Sequence, residues 1–319
     1  MAVYTDIGID DLGKMLSLYD VGTPRSFKGI AEGVENSNFL LQTDRGIYIL
    51  TLYEKRVSAG DLPFFLGLLE HLAKRGISCP LPLRAQSGAQ FATLRGRPAT
   101  LLTFLDGLSL GEPRAGHCSA AGAALAALHD AGADFASKRA NALSLAGWRP
   151  LAQATARRAD EVEDGLSELI TTNLAALEIA WPCELPSGII HADLFPDNVL
   201  FLQDKVSGLI DFYFACDDFY AYDLAVMLNA WCFDSAGRFV RANAQSLISA
   251  YRKRRPLSSR ELAALPTLAR GAALRFLLTR LQDWLDHDST VLVRPKDPRE
   301  FAARLRFFAA APSPEELGA

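Results

Sequence analysis

The stretch Ile189-Ile190-His191-Ala192-Asp193-Leu194-Phe195-Pro196-Asp197-Asn198-Val199-Leu200, followed by Gly208-Leu209-Ile210-Asp211-Phe212, decides how this 319-residue chain reads. Asn198 to Gln203 predicts a strand, Asp204-Lys205 a two-residue turn, and Val206 to Asp211 the returning strand. With that turn Gln203 faces Val206 and Asn198 faces Asp211, and opposed residues of an antiparallel pair lie about 5 Å apart. An amide and a carboxylate so placed can share one hard cation. Mg²⁺ suits them, because it takes one or two protein ligands and completes its octahedron with phosphate oxygens and water. Asp193, on the loop before Asn198, lies beside such a metal without having to bind it, and its carboxylate can accept the proton of an attacking hydroxyl. Phosphoryl transfer needs these two parts, a cation to spread developing charge and a base to orient the nucleophile. The plainer reading makes His191 structural, Asp193 a turn former and Asn198 a strand-edge cap.

Working outward, the N-terminal third predicts strands at Ser26 to Ala31, Asn38 to Thr43 and Ile47 to Tyr53, the last two joined by the turn Asp44-Arg45-Gly46. Asp61 supplies a helix N-cap with Pro63 in the first turn. A stripe of Leu62, Phe65, Leu66, Leu69, Leu72 and Ala73 follows, and Gly76 ends the helix. A further strand, Ala99 to Leu105, stops at Asp106-Gly107. Beyond it Ser119 to His129, Leu151 to Ile179, Ala221 to Phe233, Ala244 to Arg254 and Pro266 to Leu285 favour helix, and only the region of 198–212 favours strand. The expected fold is therefore α+β and two-lobed, with an antiparallel-sheet N-terminal lobe, 1–105, and a mainly helical C-terminal lobe, 106–319.

Composition narrows the function classes. Lys and Arg number 33 against 37 Asp and Glu, for a formal net charge of -4, so no nucleic-acid or anionic-membrane partner is expected. The apolar runs, such as Cys118 to Leu128, fall below the roughly 18 residues of a membrane span. Five dispersed cysteines, Cys79, Cys118, Cys183, Cys216 and Cys232, form no C-x-x-C pair, which fits free thiols in a reducing compartment. Asp6, Asp10 and Asp11 near the start do not resemble a secretory signal. A soluble intracellular protein is expected.

The spacing H-x-D-x-x-x-x-N at His191, Asp193 and Asn198, with Asp211-Phe212 in the place of a D-F-G aspartate, matches the protein-kinase catalytic loop. The chain resembles the aminoglycoside-phosphotransferase and choline-kinase-like superfamily, and within it the homoserine kinases. The residues carrying that likeness are Gly29 to Phe39, Leu62-Pro63-Phe64-Phe65, His191 to Asn198, Ile210 to Ala215, Tyr222-Asp223-Leu224-Ala225, Asn229-Ala230-Trp231 and Ala273-Leu274-Arg275-Phe276. The resemblance implies a protein-kinase-like fold and an ATP- and Mg²⁺-dependent phosphorylation of L-homoserine in threonine biosynthesis. It makes Asp193 the catalytic base and Asn198 and Asp211 the metal ligands. The loop Gly33 to Asn38 then covers the nucleotide phosphates, with Gly33 allowing close backbone approach and Asn36, Ser37 and Asn38 offering donors. Adenine hinges on the backbone at Thr103 to Leu105. One departure stands out: the third strand carries Thr51 where the kinase pattern has a Lys, which leaves Glu70 without its expected partner and Lys28, Lys55 or Arg56 as substitutes.

Homoserine carries an ammonium and a carboxylate besides its hydroxyl. Arg275, on a helix apolar nearly all round, can bind that carboxylate in bidentate fashion, or it can pair internally with Asp223, Asp283 or Asp286, since a buried charge needs a partner. Asp193, Asp217 and Asp218 are candidate acceptors for the ammonium, the latter two being turn caps on the plainer reading. His129 is expected to pack or cap its helix. The same mechanism with an aminoglycoside, choline or methylthioribose as acceptor, and a catalytically silent nucleotide-binding module, are the competing functions.

Overall fold

The computed structural model describes residues 5–30, 36–54, 57–287 and 295–319, arranged as two compact units that divide after Asp106. In the first, helix α1 (Ile9–Leu16) precedes β1 (Pro24–Gly29), β2 (Asn36–Thr43) and β3 (Ile47–Tyr53); α2 (Leu62–Lys74), β4 (Ala92–Leu94) and β5 (Arg97–Thr103) follow. The strands form one antiparallel sheet in the order β1-β2-β3-β5-β4. Alternation along the strands sends Leu41, Leu50, Leu52 and Leu101 into a core shared with Leu12 and Met15 of α1. In α2 the predicted stripe is buried from Leu62 to Leu72. Asp61 holds the N-cap position without bonding the first helical amides, and its carboxylate instead accepts from the Ser58 hydroxyl at 2.8 Å.

The second unit runs through α3 (Ala115–Gly132), α4 (Leu145–Thr155), α5 (Leu166–Ala180), β6 (Ser187–Ile190), β7 (Val199–Leu202), β8 (Lys205–Leu209), β9 (Cys216–Phe219), α6 (Tyr220–Trp231), α7 (Arg241–Arg254), α8 (Ser259–Leu285) and α9 (Arg299–Ala309). The expected helix Leu151 to Ile179 is two helices. The break runs from Ala156 to Gly165 and holds the 3₁₀ turn Ala159–Glu161; Gly165, left-handed at φ 78°, opens the second helix, which Asp160 caps by accepting from Ser167 N–H at 2.8 Å. The helix expected to begin at Pro266 begins at Ser258, where Ser258 and Glu261 make a reciprocal capping box, so the proline lies about two turns inside α8. That helix is apolar and long enough to cross a membrane by length and composition, yet Leu265, Leu268, Leu274, Leu277, Leu278 and Leu281 are buried and it packs on α6 and α9 as a core helix.

The hairpin that decides the sequence reading turns one residue earlier than expected. Gln203 and Asp204 are both left-handed, at φ 48° and 62°, as a two-residue turn of the I′ kind requires, so Leu202 and not Gln203 is the last paired residue. A bulge between Leu200 and Phe201 then shifts the register, setting Val199 opposite Leu209. Asn198 accordingly accepts from Ile210 N–H at 3.0 Å rather than facing Asp211, and it ends a 3₁₀ turn, Pro196–Asn198, instead of starting a strand. The β6–β9 pair, with strands only four residues long, lies outside the expected strands; Asp217 and Asp218 lie in β9 and are not turn caps.

Helices α3 and α7 touch where Gly122 faces the Leu247 carbonyl oxygen, which a β-carbon at position 122 would approach to 2.3 Å. Gly122→Ala is expected to force the two helices apart at an overpacking cost of about 1–3 kcal/mol, lowering the thermal midpoint by roughly 2–8 °C in scanning calorimetry. An unchanged midpoint would show that this helix pair tolerates the added carbon.

Candidate active site

The loop from His191 to Asn198 is bound at nearly every step. His191 is wholly buried, its Nε2 bonding the Ile210 carbonyl oxygen at 3.0 Å while Nδ1 accepts from Asp193 N–H at 3.3 Å. That pair of bonds fixes a neutral ring protonated at Nε2, in keeping with burial, which lowers the histidine's pKa. Asp223, from the first turn of α6 and fully buried, accepts from His191 N–H at 2.7 Å and Ala192 N–H at 2.8 Å. Its third bond is to His129 Nε2 at 3.0 Å, and His129 Nδ1 bonds the Tyr251 hydroxyl at 2.7 Å. Burial pushes the Asp223 carboxyl up, but the bonds from His129 and the His191 amide outweigh it and hold the group below its usual range. Trp231 Nε1 donates to the Leu194 carbonyl at 2.8 Å.

These bonds place three of the residues picked from the sequence together. Asn198 Nδ2 donates to the Asp193 carbonyl at 2.8 Å and reaches its carboxylate at 3.3 Å, which turns the amide oxygen away as the atom free to meet a cation. Asp211, left-handed at φ 63°, follows Ile210 directly, and its charge raises the pKa of Asp193. Burial pushes the half-buried Asp193 up to about 8; the Arg275 guanidinium opposes this, and Asp211 and Asp197 add to it. Asp211 is pushed up to about 6, by burial and then by Asp197. Asp197 is exposed and paired with Lys296 at 3.0 Å. No three His, Cys, Asp or Glu side chains form a metal group among the described residues. An excess of negative charge with one carboxylate and one amide oxygen fits an ion that takes two protein ligands and fills its other positions with water and phosphate.

Elsewhere the expectations divide. Arg275, 2% exposed on α8, gives Nη1 to the Ala192 carbonyl and lies under the rings of Phe276 and Phe214, 4.3 and 5.4 Å from their centroids. Asp223, one of its expected ion-pair partners, is bound by backbone and His129 instead. Asp217 accepts from Lys138 and the Arg139 amide, and Asp218 from Asn141 and the Phe219 amide. In the first unit Gly33, Lys55 and Arg56 lie outside the described residues. Asn36, Ser37 and Asn38 belong to β2, paired with Tyr53, Leu52 and Thr51, not to a loop. Ser37 is fully buried and donates its hydroxyl to Glu54 at 2.6 Å, and Asn38 Oδ1 accepts from Thr51 at 2.8 Å, so neither of those side-chain atoms is free to meet phosphate. Thr103 ends β5 with its amide bonded to the Leu81 carbonyl at 2.9 Å, and Leu105 follows, half-buried. Glu70 takes both oxygens to Arg84, at 2.8 and 2.9 Å.

The grip of Asp223 on the loop, with His129 behind it, and that of Trp231 emerge only from the structure. What the sequence shows of the first is a lone acid in the otherwise apolar run from Ala221 to Met227. Asp193 and Asp211 hold protons more tightly folded than unfolded, where a carboxyl titrates near about 4. Their share of stability therefore falls as pH rises from about 4 through about 6 and about 8. In chelator-treated buffer, Asp193→Asn is expected to raise the thermal midpoint at pH 8 and to raise it less at pH 5. A gain that is equal at both, or larger at pH 5, would contradict this electrostatic account.

A model of the phosphotransferase enzyme family matches residues 26–257. The homoserine kinase of Sinorhizobium fredii (strain NBRC 101917 / NGR234) is 60% identical over 318 residues, covering 100% of this chain and 98% of that protein. The homoserine kinase of Xanthobacter autotrophicus (strain ATCC BAA-1158 / Py2) is also 60% identical, covering 100% and 99%. Among solved structures, an amicoumacin kinase in complex with AMP-PNP, Ca²⁺ and Ami superimposes with a TM-score of 0.73 at 16% identity, over 96% of this chain and 95% of that one, which establishes the two-lobed kinase-like fold. With identity of this order along its whole length, the chain belongs to the phosphotransferase enzyme family and, within it, to the homoserine kinases.

Proposed function

We propose that the chain transfers the γ-phosphoryl group of ATP to the hydroxyl of L-homoserine, giving O-phospho-L-homoserine for threonine biosynthesis in the cytoplasm. The observation that carries the chemistry is the meeting of Asp193, Asn198 and Asp211 on one anchored loop and the strand end beside it. The acceptor is argued from the relatives of 60% identity that carry the homoserine kinase name. Residues 1–105 serve as the nucleotide-binding lobe, with Gly33, Asn36 and Asn38 toward the phosphates and Thr103 to Leu105 beside adenine. Residues 106–319 hold the catalytic and acceptor site.

Asn198 and Asp211 hold Mg²⁺, which when bound spreads the charge that develops on the transferring phosphoryl group. Asp193 orients the homoserine hydroxyl and receives its proton as the oxygen–phosphorus bond forms. The Asn198 amide steers the Asp193 carboxylate, by a direct hydrogen bond to one of its oxygens. The acceptor's carboxylate needs a cation, for which Arg275 is the candidate offered by the sequence.

ADP release from the purified chain with ATP and Mg²⁺ tests this reading. Turnover is expected with L-homoserine and not with choline, methylthioribose or an aminoglycoside, and Asp193→Asn is expected to lower kcat by about 10²–10⁴-fold. Asp211→Asn is expected to raise the Mg²⁺ concentration for half-maximal rate by about tenfold or more. Turnover with another acceptor alone, or with none, overturns the proposal.

A further inference from the structure

Ala192 stands between the two halves of a clamp. Its φ is 62°, left-handed backbone that an alanine adopts against steric opposition from its β-carbon. Its amide is held by Asp223 Oδ1 at 2.8 Å from one side, and its carbonyl is held by Arg275 Nη1 from the other. These contacts come from different helices, α6 and α8, and both side chains are buried, at 0% and 2% exposure. Ala192 directly precedes Asp193, so its backbone angle sets the direction in which the Asp193 carboxylate leaves the loop.

The guanidinium of Arg275 is poorly placed to meet a diffusing carboxylate. Phe276 and Phe214 flank it, Tyr222 lies against it, and Nε is buried without a partner in the described structure. A residue serving the acceptor directly would need an open face. Accordingly, we propose that Arg275 is a positioning residue: it acts through the Ala192 carbonyl to hold the loop in its left-handed turn and so aims Asp193 at the acceptor hydroxyl. The inference rests on the phosphotransfer reading above and replaces, for this residue, the carboxylate-binding role.

A double substitution separates positioning from binding. Removing the guanidinium by Arg275→Met frees Ala192 to leave the strained region, whereas glycine occupies that region as readily as any other. Arg275→Met is expected to lower kcat by roughly 10–100-fold, in line with a misaimed catalytic group, with KM for homoserine changed by no more than about twofold. Ala192→Gly added to Arg275→Met is expected to recover roughly tenfold of that loss, the size of the left-handed penalty for alanine. Arg275→Lys, which keeps one donor and the charge, is expected to fall between.

If Arg275→Met does not accumulate as folded protein, the double variant is expected to restore a cooperative thermal transition. Two results overturn the inference: a rise of about 100-fold in KM for homoserine with kcat retained, which assigns Arg275 to the substrate carboxylate, or no recovery of either rate or folding by Ala192→Gly. A wild-type chain without homoserine-dependent turnover defeats the phosphotransfer reading itself. An active wild type with an inactive Asp193→Asn and an unrescued Arg275→Met defeats only the role given to Arg275.

Discussion

The buried carboxylate of Asp223 is the constraint on which the His191–Asn198 loop depends. A lone carboxylate taken out of water is strongly disfavoured, and this one is retained because three donors converge on it: two successive backbone amides and an imidazole N–H. Successive amides point the same way only where the chain turns out of extended geometry, so satisfying the charge favours the left-handed bend at Ala192, which Arg275 grips from the carbonyl side. The next residue is Asp193. Electrostatic necessity in the interior of the helical unit is thus converted into the direction of a half-exposed side chain at its surface.

The same loop shows how stability and chemistry are set against each other. Asp193 and Asp211 are held near one another in surroundings that favour their neutral forms, while Arg275 and Lys296 return only part of the balance. Such an arrangement is poor for folding and good for holding a divalent cation and a base. The rigid frame beneath, with Trp231 on the Leu194 carbonyl and His191 bridging to Ile210, lets the strain persist without melting the loop.

Much of this was legible in the sequence, and the parts that were not share physical causes. The two lobes, the strands β1, β2, β3 and β5 and the apolar stripe of α2 follow from local periodicity, and the spacing of His191, Asp193 and Asn198 marks the loop. The hairpin register does not, because Gln203-Asp204 and Asp204-Lys205 are both acceptable turns locally, and the bulge at Leu200 leaves no mark of its own. The start of α8 was misplaced because Pro266 imitates a helix beginning, while the capping pair Ser258 and Glu261 lies further back. Arg275 was rightly read as buried and in need of a partner, but its partner is a backbone carbonyl, which no list of acidic residues can supply. The role of Asp223 arises from contacts that span about 30 residues of chain, and such pairings are set by tertiary packing, not by any local pattern.

The two grips on Ala192 also have an order in time. Asp223 and Arg275 both lie C-terminal to the loop they hold, the second of them 83 positions beyond Ala192. During synthesis from the N-terminus the His191–Asn198 segment therefore leaves the ribosome before either grip exists, and it cannot settle until α8 has emerged. A nascent chain or a truncated product ending ahead of α8 carries every residue of the reactive triad and still has no assembled centre.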